Sequence, residues 1–86
     1  MKDRLYKVSK RGLPTLIAQF IERGDEEVVR FHHLGNQHSF QMIGTFTKEF
    51  NDNWLEQKRK EGCKVTPFNK WKMRYYYGPM YEKDPQ

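Results

Sequence analysis

Hydrophobic and polar positions along the chain fall into six patterned stretches. Residues 4–10 partly alternate, with Tyr6 and Val8 on one side and Leu5 and Lys7 on the other, which predicts a strand. Leu13, Leu16, Ile17, Phe20 and Ile21 recur at i, i+3, i+4, i+7 and i+8, so the same reasoning predicts a core-facing helix. Pro14 suits the first turn of such a helix, and Gly24 suits the left-handed position just past its end. Residues 27–34 (EVVRFHHL) and 38–46 (HSFQMIGTF) are β-branched, aromatic and roughly alternating. With Gly35, Asn36 and Gln37 between them they predict an antiparallel hairpin. Val29, Phe31, Phe40 and Met42 would share one side of it, and Arg30, His32 and Gln41 the other.

Thr45 or Thr47 can cap a second helix running to about Glu61 and closed by Gly62. Phe46, Phe50, Trp54 and Leu55 give it an apolar face, and Lys58, Arg59 and Lys60 fall in its last turn, against the negative end of the helix dipole. After Val65, Thr66 and Pro67, residues 70–77 (KWKMRYYY) alternate strictly. As a strand they would place Trp71, Met73, Tyr75 and Tyr77 on one face and Lys70, Lys72, Arg74 and Tyr76 on the other, ending at Gly78 and Pro79. Residues 1–78 therefore read as one domain, with 79–86 a short, loose, polar tail.

Strand, helix, strand, strand, helix, strand is the βαββαβ order of the ferredoxin-like arrangement. The expected fold is thus α+β, a small single domain with two helices packed on one face of an antiparallel sheet; a meander is the rival layout. In the ferredoxin-like case the first and last strands lie side by side. Lys7 would then join the bases of residues 70–74.

Eighty-six residues suffice for one modest core, and the single cysteine, Cys63, leaves packing alone to hold it. No apolar run approaches the ~20 residues of a membrane span, and the start MKDRLYKVSK lacks the apolar stretch of a secretion leader. A soluble cytoplasmic protein is the expectation. The net charge of +5 is unevenly spread. Residues 1–11 hold five bases and one acid, residues 12–57 three bases and seven acids, and residues 58–86 eight bases and three acids.

That distribution points to nucleic acid as the partner. Cations neutralise phosphates and an aromatic ring offers a stacking surface to any base, so Lys70, Lys72, Arg74 and Tyr76, supported by Lys7 and Arg30, form the expected contact face. Lysines on an edge strand also discourage aggregation, which is the structural reason such a face can exist. HSFQMIGTF lacks the glycine-aromatic signature of RNA-recognition motifs. The alternative partner is an acidic protein surface. Phe68, Trp71, Tyr75, Tyr76, Tyr77 and Tyr81 crowd the last nineteen residues, and with Met80 these types are enriched at interfaces. A small protein-binding module or inhibitor would grip its target through Tyr76, Tyr81, Met80 and nearby bases.

His32, His33 and His38 lie on the hairpin far from Cys63 and do not make zinc-ligand spacing, so they are expected to face solvent. Neither Cys63 nor Ser39 is framed by a nucleophile motif, and Asp25, Glu26 and Glu27 read as a solvated junction. The chain is expected to be non-enzymatic, with no metal or cofactor.

Overall fold

The computed structural model describes residues 2–33 and 40–78. Along them run β1 (Asp3–Ser9), β2 (Leu16–Arg23), β3 (Glu26–His33), β4 (Gln41–Thr47), α1 (Lys48–Lys60), β5 (Lys64–Pro67) and α2 (Lys70–Tyr77). The five strands make one antiparallel sheet in the order β4-β3-β2-β1-β5. The α+β class is as expected, but the ferredoxin-like order is not. Four meandering strands precede the first helix, and β5 reaches the far edge, beside β1, only after α1. Among the described residues no helix is long and apolar enough to cross a membrane.

The helix expected from Leu13 to Ile21 is instead β2, the middle strand of the sheet. A middle strand covered on both faces needs apolar residues at nearly every position, and residues 17–21 are all buried. In so short a run, residues spaced for a helical stripe are also residues of a doubly buried strand, and period alone does not separate the two. Gly24 then has a different role. Arg23 pairs with Glu26, so Gly24 and Asp25 form a two-residue hairpin turn, with Gly24 at φ +63° and no positive φ at Asp25. Positive φ at the first central residue is the type II′ pattern, which glycine adopts without strain.

The sheet is covered on both sides, correcting the expectation that both helices share one face. Val8, Ala18, Phe20, Val29 and Val65 pack under Leu55 of α1, with Trp54 and Phe31 at the margin. Leu5 and Ile17 point the other way and pack under Met73 and Tyr77 of α2. Thr47 caps α1, its Oγ1 accepting from the Phe50 N–H at 3.1 Å, and Lys58, Arg59 and Lys60 occupy the last turn.

The hairpin of β3 and β4 forms with a different register. A bulge between Val29 and Arg30 places Arg30 opposite Met42 and Phe31 opposite Gln41, so Met42 and Gln41 exchange their expected sides. Arg30 and His32 do not face solvent; both are buried, while His33 is exposed. The turn at Gly35, Asn36 and Gln37, as well as His38, lies outside the described residues.

Residues 70–77 are helix, not strand. Asn69 caps them, its Oδ1 accepting from the Lys72 N–H at 2.7 Å. Phe68 just before the cap packs into the same cluster as Met73, four residues beyond it, which is the hydrophobic staple that fixes a chain's entry into a helix. Asn69→Ala is expected to lower stability by about 1 kcal/mol in urea unfolding, with Asn69→Asp near wild type. Equal loss in both variants would deny the cap its role.

Candidate functional site

The exposed surface with the most binding chemistry is the outer face of α2. Met73 and Tyr77, one turn apart, are buried against Leu5 and Ile17. Trp71 and Tyr75 are also one turn apart and point the opposite way, 73% and 75% exposed. Their rings stack on one another, centroids 6.1 Å apart and planes 14° from parallel, and Tyr76 stands edge-on to Tyr75 at 5.5 Å. Lys70, Lys72 and Arg74 lie among these rings, and α2 carries no acid.

The expected contact residues distribute around this helix. Lys72, Arg74 and Tyr76 are exposed, but they do not form one flat row, because residues two apart in a helix face different ways. Lys70 is tied down by Asp3, Nζ to Oδ1 at 2.8 Å. Half-buried Lys7 stands two residues beyond Leu5, on the side of the sheet that α2 covers. The N- and C-terminal parts of the chain meet where β1 pairs with β5 and where Lys70 of α2 pairs with Asp3 of β1. Arg30 does not join them. It is 2% exposed, and its guanidinium lies 4.6 Å from the centre of the Phe40 ring. Tyr81 and Met80 lie outside the described residues.

Beneath α2 runs a buried polar seam. Gln19 Nε2 donates to Asp3 Oδ2 at 2.9 Å, and His32 Nε2 lies 2.8 Å from Gln19 Oε1. Since the Gln19 carbonyl oxygen can only accept, His32 Nε2 carries the proton and donates. Burial, then the charge of Arg30 and the neighbouring His33, push His32 down to about 4. Its ring packs between Tyr77 at 5.1 Å and Phe40 at 5.5 Å. Burial and then Tyr76 raise the Tyr77 phenol, whose buried hydroxyl has no hydrogen-bond partner among the described residues. This seam holds α2 in place and is shut off from solvent by it.

A cleft of about 380 Å³ at the Asp3 end of β1 is lined by charged residues, among them Lys2, Arg4, Glu22, Glu26, Glu27 and Lys48. Its charges are largely engaged with one another: Lys2 pairs with Glu22 at 3.3 Å and Arg4 with Glu27 at 2.9 Å. Among the described residues no group of three or more His, Cys, Asp or Glu side chains is placed to hold a metal ion. Cys63 is half-buried beside the core under α1.

Trp71 and Tyr75 are the surface residues that strand periodicity conceals. Alternation puts them on the same side as Met73 and Tyr77, whereas a helix puts them opposite. The signal that separates the cases is the Phe68–Asn69 start, an apolar residue then a capping residue. Compared with known protein families, curated proteins and solved structures, the chain matches none of them.

Proposed function

We propose that this chain is a non-enzymatic nucleic-acid-binding protein whose contact surface is the outer face of α2. The observation that carries the reading is a helix with three bases and no acid that holds Trp71, Tyr75 and Tyr76 out in solvent. Exposed rings of this size are costly to leave in water and suit a ligand with flat faces, while the cations suit a polyanion. The acids Glu49, Asp52 and Glu56 belong to α1, on the other side of the sheet, so they do not oppose an anion at α2. The reading sets the protein in the cytoplasm, where a lone thiol such as Cys63 stays reduced.

Binding of a fluorescein-labelled oligonucleotide, followed by anisotropy, is expected to weaken linearly in log–log form as salt rises. Lys72→Glu with Arg74→Glu is expected to lower affinity at least about tenfold and to flatten the salt slope by about 0.7 per lost phosphate contact. Salt-independent binding, or none at low ionic strength, would defeat the proposal.

A second reading, a protein-binding module or inhibitor, is favoured by one observation. Edge strand β4 (QMIGTFT) carries no charge, exposes Met42 and Ile43, and continues into the stacked pair Phe46–Phe50 at 4.8 Å. Capture from nuclease-treated lysate separates the readings: a stoichiometric protein partner supports the second, and loss of all partners on nuclease treatment supports the first.

A further inference from the structure

We infer that the ligand of α2 is an unpaired strand, held by stacking of its bases on Trp71 and Tyr75; this rests on the nucleic-acid reading above and specifies its substrate. Three features of the surface lead there. First, the rings occupy the outermost positions of the helix. A helix that reads a duplex enters the major groove and must bring side chains to base edges with hydrogen-bond donors and acceptors. Here the positions that would enter first are a tryptophan and a tyrosine, 73% and 75% exposed, whose stacked pair is too bulky and too apolar for that task.

Second, the sheet is not available as a platform. Strand readers of single-stranded RNA stack bases on an open sheet face. In this protein α1 covers one face and α2 the other, so the exposed stacking surface has moved from the sheet onto the helix above it. Third, the rings are already arranged as the start of a stack. With planes 14° apart, Trp71 and Tyr75 share one orientation, and a base laid on the free face of either continues the column. A paired base has its faces occupied by its neighbours and has none to offer. Lys72, next in sequence to Trp71, supplies a cation beside the column for the backbone that links the bases. Stacking of this kind takes any base, so the strand is recognised without a fixed sequence.

The test compares labelled oligothymidylate, oligouridylate and a duplex, each of about twenty nucleotides, at low salt. Wild type is expected to bind the single strands at least about tenfold more tightly than the duplex, and Trp71→Ala/Tyr75→Ala to lose roughly tenfold or more on single strands while duplex affinity holds. Trp71→Phe, which keeps a ring, is expected to retain most of the affinity. Because both rings are largely outside the core, circular dichroism and thermal melting should show the variants folded; should the double variant unfold, Trp71→Ala alone carries the comparison. Duplex binding as tight as single-strand binding, or single-strand affinity unchanged without the rings, overturns the inference and leaves the nucleic-acid reading standing. No binding to any of the three overturns both.

Discussion

Glu27→Ala is expected to destabilise the protein by about 3 kcal/mol, the low end of the range for removing one partner of a buried ion pair, since Glu27 is buried and Arg4 only partly so. Arg4 on β1 grips Glu27 on β3 with both ends of its fork, Nε to Oε2 and Nη2 to Oε1, each at 2.9 Å. The same guanidinium reaches Asp52 of α1 at 2.6 Å through Nη1 and lies 5.0 Å from the centre of the Phe20 ring. Asn51 Nδ2, buried at the same point, donates to Glu27 Oε1 at 3.0 Å. Burial alone would lower the Arg4 pKa, yet its hydrogen bonds to Glu27 and Asp52 hold it above the ordinary arginine value. Two strands and a helix thus converge on one carboxylate. Without it, Arg4 keeps a half-exposed acid and the Asn51 amide loses its acceptor.

Asp52→Ala is the contrasting variant, since an exposed partner contributes about 1 kcal/mol or less. Arg4→Met combined with Glu27→Leu is expected to recover part of the loss, because an apolar pair of similar size removes the desolvation cost along with the attraction, while the Asn51 amide still lacks its acceptor. Urea unfolding midpoints measure all three. A Glu27→Ala protein within about 1 kcal/mol of wild type would mean that packing by Phe20, Leu55 and Trp54 fixes α1 unaided.

How much of this was legible depends on the competition between periodicities. The hairpin of β3 and β4 and the helix α1 were readable because their signals agree. β-branched alternation marks the strands, and Thr47, Leu55 and Gly62 bracket the helix. The two errors are mirror images. In β2, burial on both faces filled every position and imitated a helical stripe. In α2, three bases at alternate positions imitated a strand, although the buried pair Met73 and Tyr77 is spaced by four. In both places the turn residues held the better information: Gly24–Asp25 is a hairpin connection, and Asn69 is a cap. The bulge at Arg30 has no such local sign, and the expectation that His32 faces solvent failed because α2 covers that side of the sheet, its Tyr77 ring packing on the imidazole. Lys72, Arg74 and Tyr76 are exposed in the helix as they would be on a strand face, whereas Trp71 and Tyr75 emerged only once the helix turned them outward.

The burial of His32 carries the second large effect, a loss of stability in acid. In the folded protein its pKa is about 4, against an ordinary value of 6.5. The unfolded chain therefore takes up a proton first as pH falls. The stabilisation is fully present above the ordinary value, begins to fade as pH drops through about 6.5, and is gone below about 4. Its full size is on the order of 3 kcal/mol. The structural cause is that Nε2 already donates to Gln19, so a second proton must enter at Nδ1, in a space bounded by the Tyr77 and Phe40 rings with Arg30 nearby. Asp3, the acid of the seam, is one residue further along and already holds Lys70.

Stability measured in urea from about pH 7 to about pH 4.5, above most carboxylate titration, should fall steadily in wild type. His32→Gln should flatten that slope, and His33→Gln, which removes only the last of the causes that lower His32, should change it far less. Because Tyr77 rests on the His32 ring, α2 should loosen together with the seam only as pH nears about 4, where the folded imidazole takes up its proton. A slope that persists in His32→Gln would assign the acid sensitivity to another group and release α2 from dependence on the imidazole beneath it.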